Sequence, residues 1–372
     1  MLSRCLHVLF VFCFLVSCNQ KQSQLDCITL SVDLKQSTLQ YEDVFSDAEV
    51  IPLETTDSSL VVFPVRLIEY EEIFYLYDIH TVNALSFDHC GKFIRKFGAK
   101  GQGPGEYTWL ASISIDKKGN FIHLVEPIGQ FHDYTLDGKY IQSRKYPDGK
   151  NYQSIYHVDD YMVTWSSPSN SEYDCISIFN SETMELMNSY NKGSALLKME
   201  GFYSYGNKLY YFEKLEGNSI YEVTKDSLTM AYQWDFGKDN FDVYSLNLTF
   251  DDDNKKLEYP LFWEYMEDGT IPYIKVSQAQ NKDYYYVCLR YQYKYDKNVF
   301  YRKSDGKYFI LGEKNWNVPT NALVFTDDYM IILLNHNNYE NFKSFLPDSE
   351  RRKLNALTED DNPCLLKLFF KK

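Results

Sequence analysis

The sequence predicts an all-β chain folded as a six-bladed β-propeller of four-stranded antiparallel blades. Three observations carry that expectation. A strand–turn–strand unit recurs with turns near residues 91, 138, 182, 226 and 306, the first three gaps being 47, 44 and 44 residues. A period in the forties with several short strands per unit is the spacing of propeller blades. Aromatic residues make up 17% of the chain, with 33 Tyr, a composition that favours strands. Finally, the last unit lacks one strand, while a strand near the N-terminus has no blade of its own.

Residues 1–17 read as a cleaved export signal. Arg4 is the sole charge, and the apolar run Val8 to Val16 is too short to cross a bilayer as a mature helix. Leu15-Val16-Ser17-Cys18 resembles the lipobox of bacterial lipoproteins, which implies that Cys18 is lipidated and becomes the new N-terminus. Several acyl chains anchor stably where one does not. Residues 18–44 read as a lipidated tether with a leading strand, and 45–372 as the propeller. The acidic residues that promote export to the cell surface in related lipoproteins do not follow Cys18, so the resemblance implies a periplasm-facing position on the outer membrane, with the cell surface as the alternative.

The blades follow in order. Leu85–Asp88 turns at Gly91-Lys92 into Phe93–Phe97, Phe131–Tyr134 turns at Gly138-Lys139 into Tyr140-Ile141, and Val299–Arg302 turns at Gly306-Lys307 into Tyr308–Ile310. Glycine supplies the positive φ of such hairpins. Degenerate copies turn at Asn180–Glu182 and Lys225-Asp226. Earlier strands sit at Ile73–Tyr77, Leu209–Phe212 and Tyr284–Leu289. The sixth unit holds Leu323–Phe325, Tyr329–Leu334 and Leu365–Phe370, and Glu49–Leu53 can supply its fourth strand and remove an open edge. Insertions at 238–272 and 337–362 interrupt the pattern, and Phe342–Leu357 reads as a short helix.

The stretch Gly101-Gln102-Gly103-Pro104-Gly105-Glu106-Tyr107 resembles the signature of a family of six-bladed, NHL-repeat-like propeller lipoproteins of gut-type Gram-negative bacteria. Ile51–Thr56 and Asn362-Pro363 are similar to that family's opening and closing strands. The resemblance implies the fold and a place in nutrient acquisition beside outer-membrane glycan importers. It implies no activity.

A net charge of −14 argues against nucleic acid as a partner. Five scattered mature cysteines after Cys18 form neither a disulfide framework nor a CxxC zinc site, and most read as small buried hydrophobes. No GxSxG or HExxH occurs. Asp251–Asp253 reads as a solvated turn. His80, His123 and His157 come from different units in unlike contexts, so they read as turn or core residues, and no metal or cofactor is assigned. Tyr291, Tyr293 and Tyr295 alternate and are expected on one face of a strand.

The expected function is a membrane-anchored, non-catalytic binding or accessory lipoprotein. The alternatives are a metal-assisted lyase or hydrolase using the central channel, and a scaffold or sensor for an outer-membrane importer. A glycan or other small molecule would bind where blade-to-blade loops gather, at Arg66, Gln102, Glu106, Tyr107, Trp109, Tyr152 and Trp316. Arg66 would pair an anionic group, Gln102 and Glu106 would bond hydroxyls, and Tyr107, Trp109 or Trp316 would stack. Phe202, Tyr203 and Asn317 share those loops. The competing reading makes Tyr107 and Trp109 wedges between blades and Glu106 a cap on the Gly-rich loop.

Overall fold

The computed structural model describes residues 28–36, 41–167, 175–190, 200–243, 259–292, 294–312, 321–334, 342 and 344–372. In chain order come β1 (Ile28–Ser31), the single turn α1 (Tyr41–Val44) and β2 (Phe45–Pro52). Blade I holds β3 (Pro64–Tyr70), β4 (Ile73–Asp78), β5 (Asn83–Asp88) and β6 (Phe93–Phe97). Blade II holds β7 (Ser112–Asp116), β8 (Phe121–Glu126), β9 (Gln130–Thr135) and β10 (Tyr140–Lys145). Blade III holds β11 (Ser154–Val158), β12 (Tyr161–Trp165), β13 (Ile176–Asn180) and β14 (Leu186–Tyr190). Blade IV holds β15 (Phe202–Tyr205), β16 (Lys208–Phe212), β17 (Ser219–Val223) and β18 (Leu228–Asp235).

After α2 (Tyr259–Asp268), blade V holds β19 (Tyr273–Gln280), β20 (Tyr284–Tyr291), β21 (Tyr295–Arg302) and β22 (Tyr308–Leu311). Blade VI holds β23 (Val324–Phe325), β24 (Tyr329–Leu334) and β25 (Cys364–Phe370), with α3 (Asp348–Asn355) inserted before its last strand. Its fourth, outermost strand is β2, paired antiparallel with β25 so that Val50 faces Leu366 and Ile51 faces Leu365. The predicted ring closure is the one observed.

Both faces of each blade are covered by neighbours, so the central strands carry much of the burial. All five residues of β12 and four of the five in β13 are buried. Outer strands such as β10 return to polar, exposed residues.

Two of the outer blade edges are covered. Val50 donates its N–H to Glu350 at 2.7 Å and accepts from Lys353 at 3.1 Å, so α3 satisfies the outward side of β2. On blade IV, β1 adds a fifth strand parallel to β18, pairing Ile28 with Tyr232 and Leu30 with Trp234. The leading strand is therefore docked on the propeller, with Leu30 and Val32 in its core, and is not part of a free tether.

Gly91, at φ +83°, sits where an added Cβ would lie 2.1 Å from the Pro52 carbonyl oxygen. Only glycine lets the blade I hairpin meet the end of β2 there. Glu54 completes the junction, accepting the Phe93 N–H at 2.8 Å.

Three sequence expectations change. The helix expected over 342–357 is the shorter α3, because Pro347 stands at its start and the Phe342–Leu346 stretch turns separately. The insertion at 238–272 contains α2, whose Phe262 and Met266, one turn apart, bury against Leu215, Ile271 and Ile274. Tyr291 and Tyr295 do not share a strand. They end β20 and begin β21, face each other in register and stack at 5.2 Å, because Gln292 takes a positive φ and turns the chain. Tyr293 and Asp251–Asp253 lie outside the described residues.

A candidate site at the channel mouth

Strands alternate direction within a blade. The loops from each outer strand to the next inner strand therefore lie on the same face as the loops joining second and third strands. On that face the inner strands place a cluster of charges around the channel. Arg66, early in β3, donates from Nη1 to the Tyr156 hydroxyl at 2.8 Å, and its guanidinium lies 4.6 Å from the centre of that ring. Tyr156 belongs to β11, so this contact links blades I and III. Its hydroxyl lies 3.2 Å from Glu200 Oε1, and the Ser154 hydroxyl donates to Glu200 Oε2.

Two lysines from blades IV and V occupy the same end. Lys275, 2% exposed, lies on β19, and its N–H bonds the Lys214 carbonyl at 2.8 Å. Burial pulls both ammonium groups down to about 8; Glu200 partly offsets this for Lys214, and Glu213 with Glu216 for Lys275. Arg290 caps this side in a two-pronged pair with Asp296, at 2.8 and 3.1 Å. Burial works against the Arg66 charge, but Tyr156 and Glu200 raise its pKa above the ordinary value. The Arg66 Nε is buried without a partner among the described residues. Such a donor costs free energy until an acceptor reaches it.

The Gly-rich crossover is a different kind of structure. Tyr107 is fully buried, bonds the Val82 carbonyl at 3.0 Å, and packs between blades I and II beside Phe97 and Leu110. Glu106 turns back on its own loop, its Oε2 accepting the Gly103 N–H at 2.7 Å. Gly105, at φ +77°, lies so close to Tyr134 and Tyr140 that any Cβ would clash. Tyr152 is likewise buried, donating to Asp148 at 2.6 Å and packing on Tyr146. Tyr107 and Tyr152 thus hold the scaffold and present no surface to a ligand.

Gln102 is exposed, and so is Trp109, at 48%. With Leu60, Val62, Phe63, Ile79 and Ile128, Trp109 gives the loops of blades I and II an apolar surface on this face. Phe202 packs on Tyr156 at 4.9 Å, and Tyr203 bonds Tyr232 at 2.8 Å. Cys18, Trp316 and Asn317 lie outside the described residues. Two open clefts of about 370 and 440 Å³ lie on the outer rim, beside β1 and α3, away from the channel.

Among the described residues singled out in sequence, Arg66 is the one that enters the charged cluster. Ser154, Tyr156, Glu200, Lys214 and Lys275 were missed. Lys275 left one trace: it is the one charge in its strand, set between Ile274 and Val276. Cys175, Cys288 and Cys364 are buried, whereas Cys90 is exposed.

The model of a domain of unknown function, DUF4934, matches residues 25–368. The chain belongs to that family. Among solved structures, this DUF4934 protein is similar to one inferred to be exported from Bacteroides fragilis, with 17% identity and a TM-score of 0.72 over 93% of this chain and 99% of that one. It is also similar to a member of the DUF4221 family from Bacteroides vulgatus, with 11% identity and a TM-score of 0.54 over 88% and 97% of the two chains. At such identities the likeness speaks for the fold alone. No curated protein matches the chain.

Proposed function

We propose that the protein is an exported, lipid-anchored binding module that holds an acidic saccharide, or a similar polyhydroxylated anion, at the channel mouth without transforming it. The observation that carries this reading is the half-buried cluster of Arg66, Tyr156 and Glu200 flanked by Lys214 and Lys275. A carboxylate or sulfate entering there would accept from the unpartnered Arg66 Nε and offset the cost of the two buried ammonium groups. Sugar hydroxyls would meet Ser154, Tyr156 and Glu200, and a ring face would meet exposed Trp109. The signal-like residues 1–17, Cys18 and the exported relative support the envelope location. The DUF4934 assignment and the propeller fold leave the chemistry open, since function lives in sites and not in folds.

The test is calorimetric titration with a panel of neutral and acidic mono- and disaccharides. Affinity restricted to acidic members, and reduced at least tenfold by Lys275→Met, is expected. Equal binding of neutral sugars by both proteins contradicts the reading. For the anchor, Cys18→Ala is expected to abolish labelling by a palmitate analogue and leave the precursor uncleaved at this site.

A further inference from the structure

At the other end of the ring, strands β7 and β8 of blade II and β11 of blade III bring together Asp116, His123 and His157. We propose that these three side chains form a binding site for a divalent transition metal of the zinc type, joining blade II to blade III. One donor atom from each lies within 4.8 Å of the other two. By the geometry of such a triangle, a point no more than about 2.8 Å from all three exists. Side-chain rotation closes the remaining gap to the roughly 2.0–2.2 Å of zinc–imidazole and zinc–carboxylate bonds.

The hydrogen bonds already fix the chemistry of the donors. His123 Nδ1 lies 2.7 Å from the Asp133 carboxylate and donates to it, so the lone pair of this imidazole is on Nε2. That Nε2 is buried and has no hydrogen-bond partner among the described residues, and the same holds for His157 Nε2. The two rings lie 4.9 Å apart between centroids. Two buried imidazole nitrogens without donors are costly in a protein interior, and a metal ion satisfies both at once. Asp133 is in turn held by Arg144 at 2.9 Å, the outer carboxylate arrangement that orients metal-bound histidines. Asp116 Oδ1 accepts the Lys118 and Gly119 N–H groups, which fixes the carboxylate at the turn.

Two imidazoles and a carboxylate suit zinc and its first-row neighbours better than calcium or magnesium, which take oxygen ligands. Three protein donors leave at least one position for water. His80, grouped with these two histidines in the sequence, is exposed in the β4–β5 loop on the opposite face and takes no part. The site lies off the channel mouth and does not depend on the saccharide reading.

The experiment uses the full mature chain, stripped with a chelator and then dialysed against zinc. Metal content is measured by elemental analysis, and cobalt-substituted protein by visible absorption. About one zinc per chain and a tetrahedral cobalt spectrum are expected. His157→Gln and Asp116→Asn, each with wild-type circular dichroism, should retain zinc at least tenfold less tightly. Absence of stoichiometric zinc in the wild type, or equal retention by both variants, overturns the proposal. Loss in the variants while magnesium fails to compete supports it.

Discussion

The Gly-rich crossover from Gly101 to Tyr107 and the charged mouth around Arg66 lie on the same face of the ring, yet they are built in opposite ways. The crossover is contiguous, rich in glycine and closed on itself: Tyr107 is driven inward and Glu106 bonds the backbone of its own loop. The mouth is assembled from five elements more than two hundred residues apart from end to end, from Arg66 to Lys275. Its side chains are charged where neighbouring strand positions are apolar. A conspicuous motif here marks the tightest piece of scaffold. The residues with unmet hydrogen bonds and buried charge carry no motif at all.

That contrast can be broken at several points. The largest effect is expected from deleting residues 45–54, which removes β2 and exposes the edges of β25 and α3. Stability should fall by several kcal/mol out of a total on the order of 5–15 kcal/mol, and the protein should associate. A monomer with unchanged Tm contradicts the closure. Next comes Tyr107→Ala, which empties a fully buried aromatic site at a cost of about 3–5 kcal/mol by denaturant titration. Its ligand affinity, measured on the folded fraction, should match the wild type.

A pH series sharpens the other side. Lys214 and Lys275 titrate near 8 in the folded protein, against an ordinary value of 10.5. The unfolded chain therefore binds more protons between those values, and stability of the unliganded protein should rise with pH across that window. Anion affinity should fall over the same window as the ammonium groups lose their protons. An affinity flat from pH 7 to 10 would exclude both lysines from binding. The smallest effect is Glu106→Gln, expected to cost about 0.5–1.5 kcal/mol through its bond to Gly103, with no change in affinity.

The fold was legible because it repeats. Glycine hairpins at Gly91, Gly138 and Gly306 recur with the blades, and the orphan strand at Glu49–Leu53 matched the missing position in blade VI. Docking of β1 on blade IV left no such trace, since a four-residue parallel pairing across two hundred residues has no local signature. Helix α2 was hidden because its two core residues, Phe262 and Met266, stand in an otherwise mixed segment. At the mouth, Arg66 was found from its loop position, while Tyr156 and Glu200 looked like ordinary strand and loop residues. Their meaning depends on which blades face each other across the channel. The histidine pair shows the same limit: His123 and His157 had unlike contexts, and only the packing of β7 and β8 against β11 brings them together.

The central claim, that the charged mouth binds and the glycine crossover supports, is tested most directly by titrating one acidic disaccharide into three proteins. These are the wild type, Arg66→Ala and Tyr107→Phe, all checked for folding by circular dichroism. The predicted result is an affinity at least tenfold weaker for Arg66→Ala, with Tyr107→Phe indistinguishable from wild type but less stable by about 1 kcal/mol. Binding that survives in Arg66→Ala and is lost in Tyr107→Phe would contradict it.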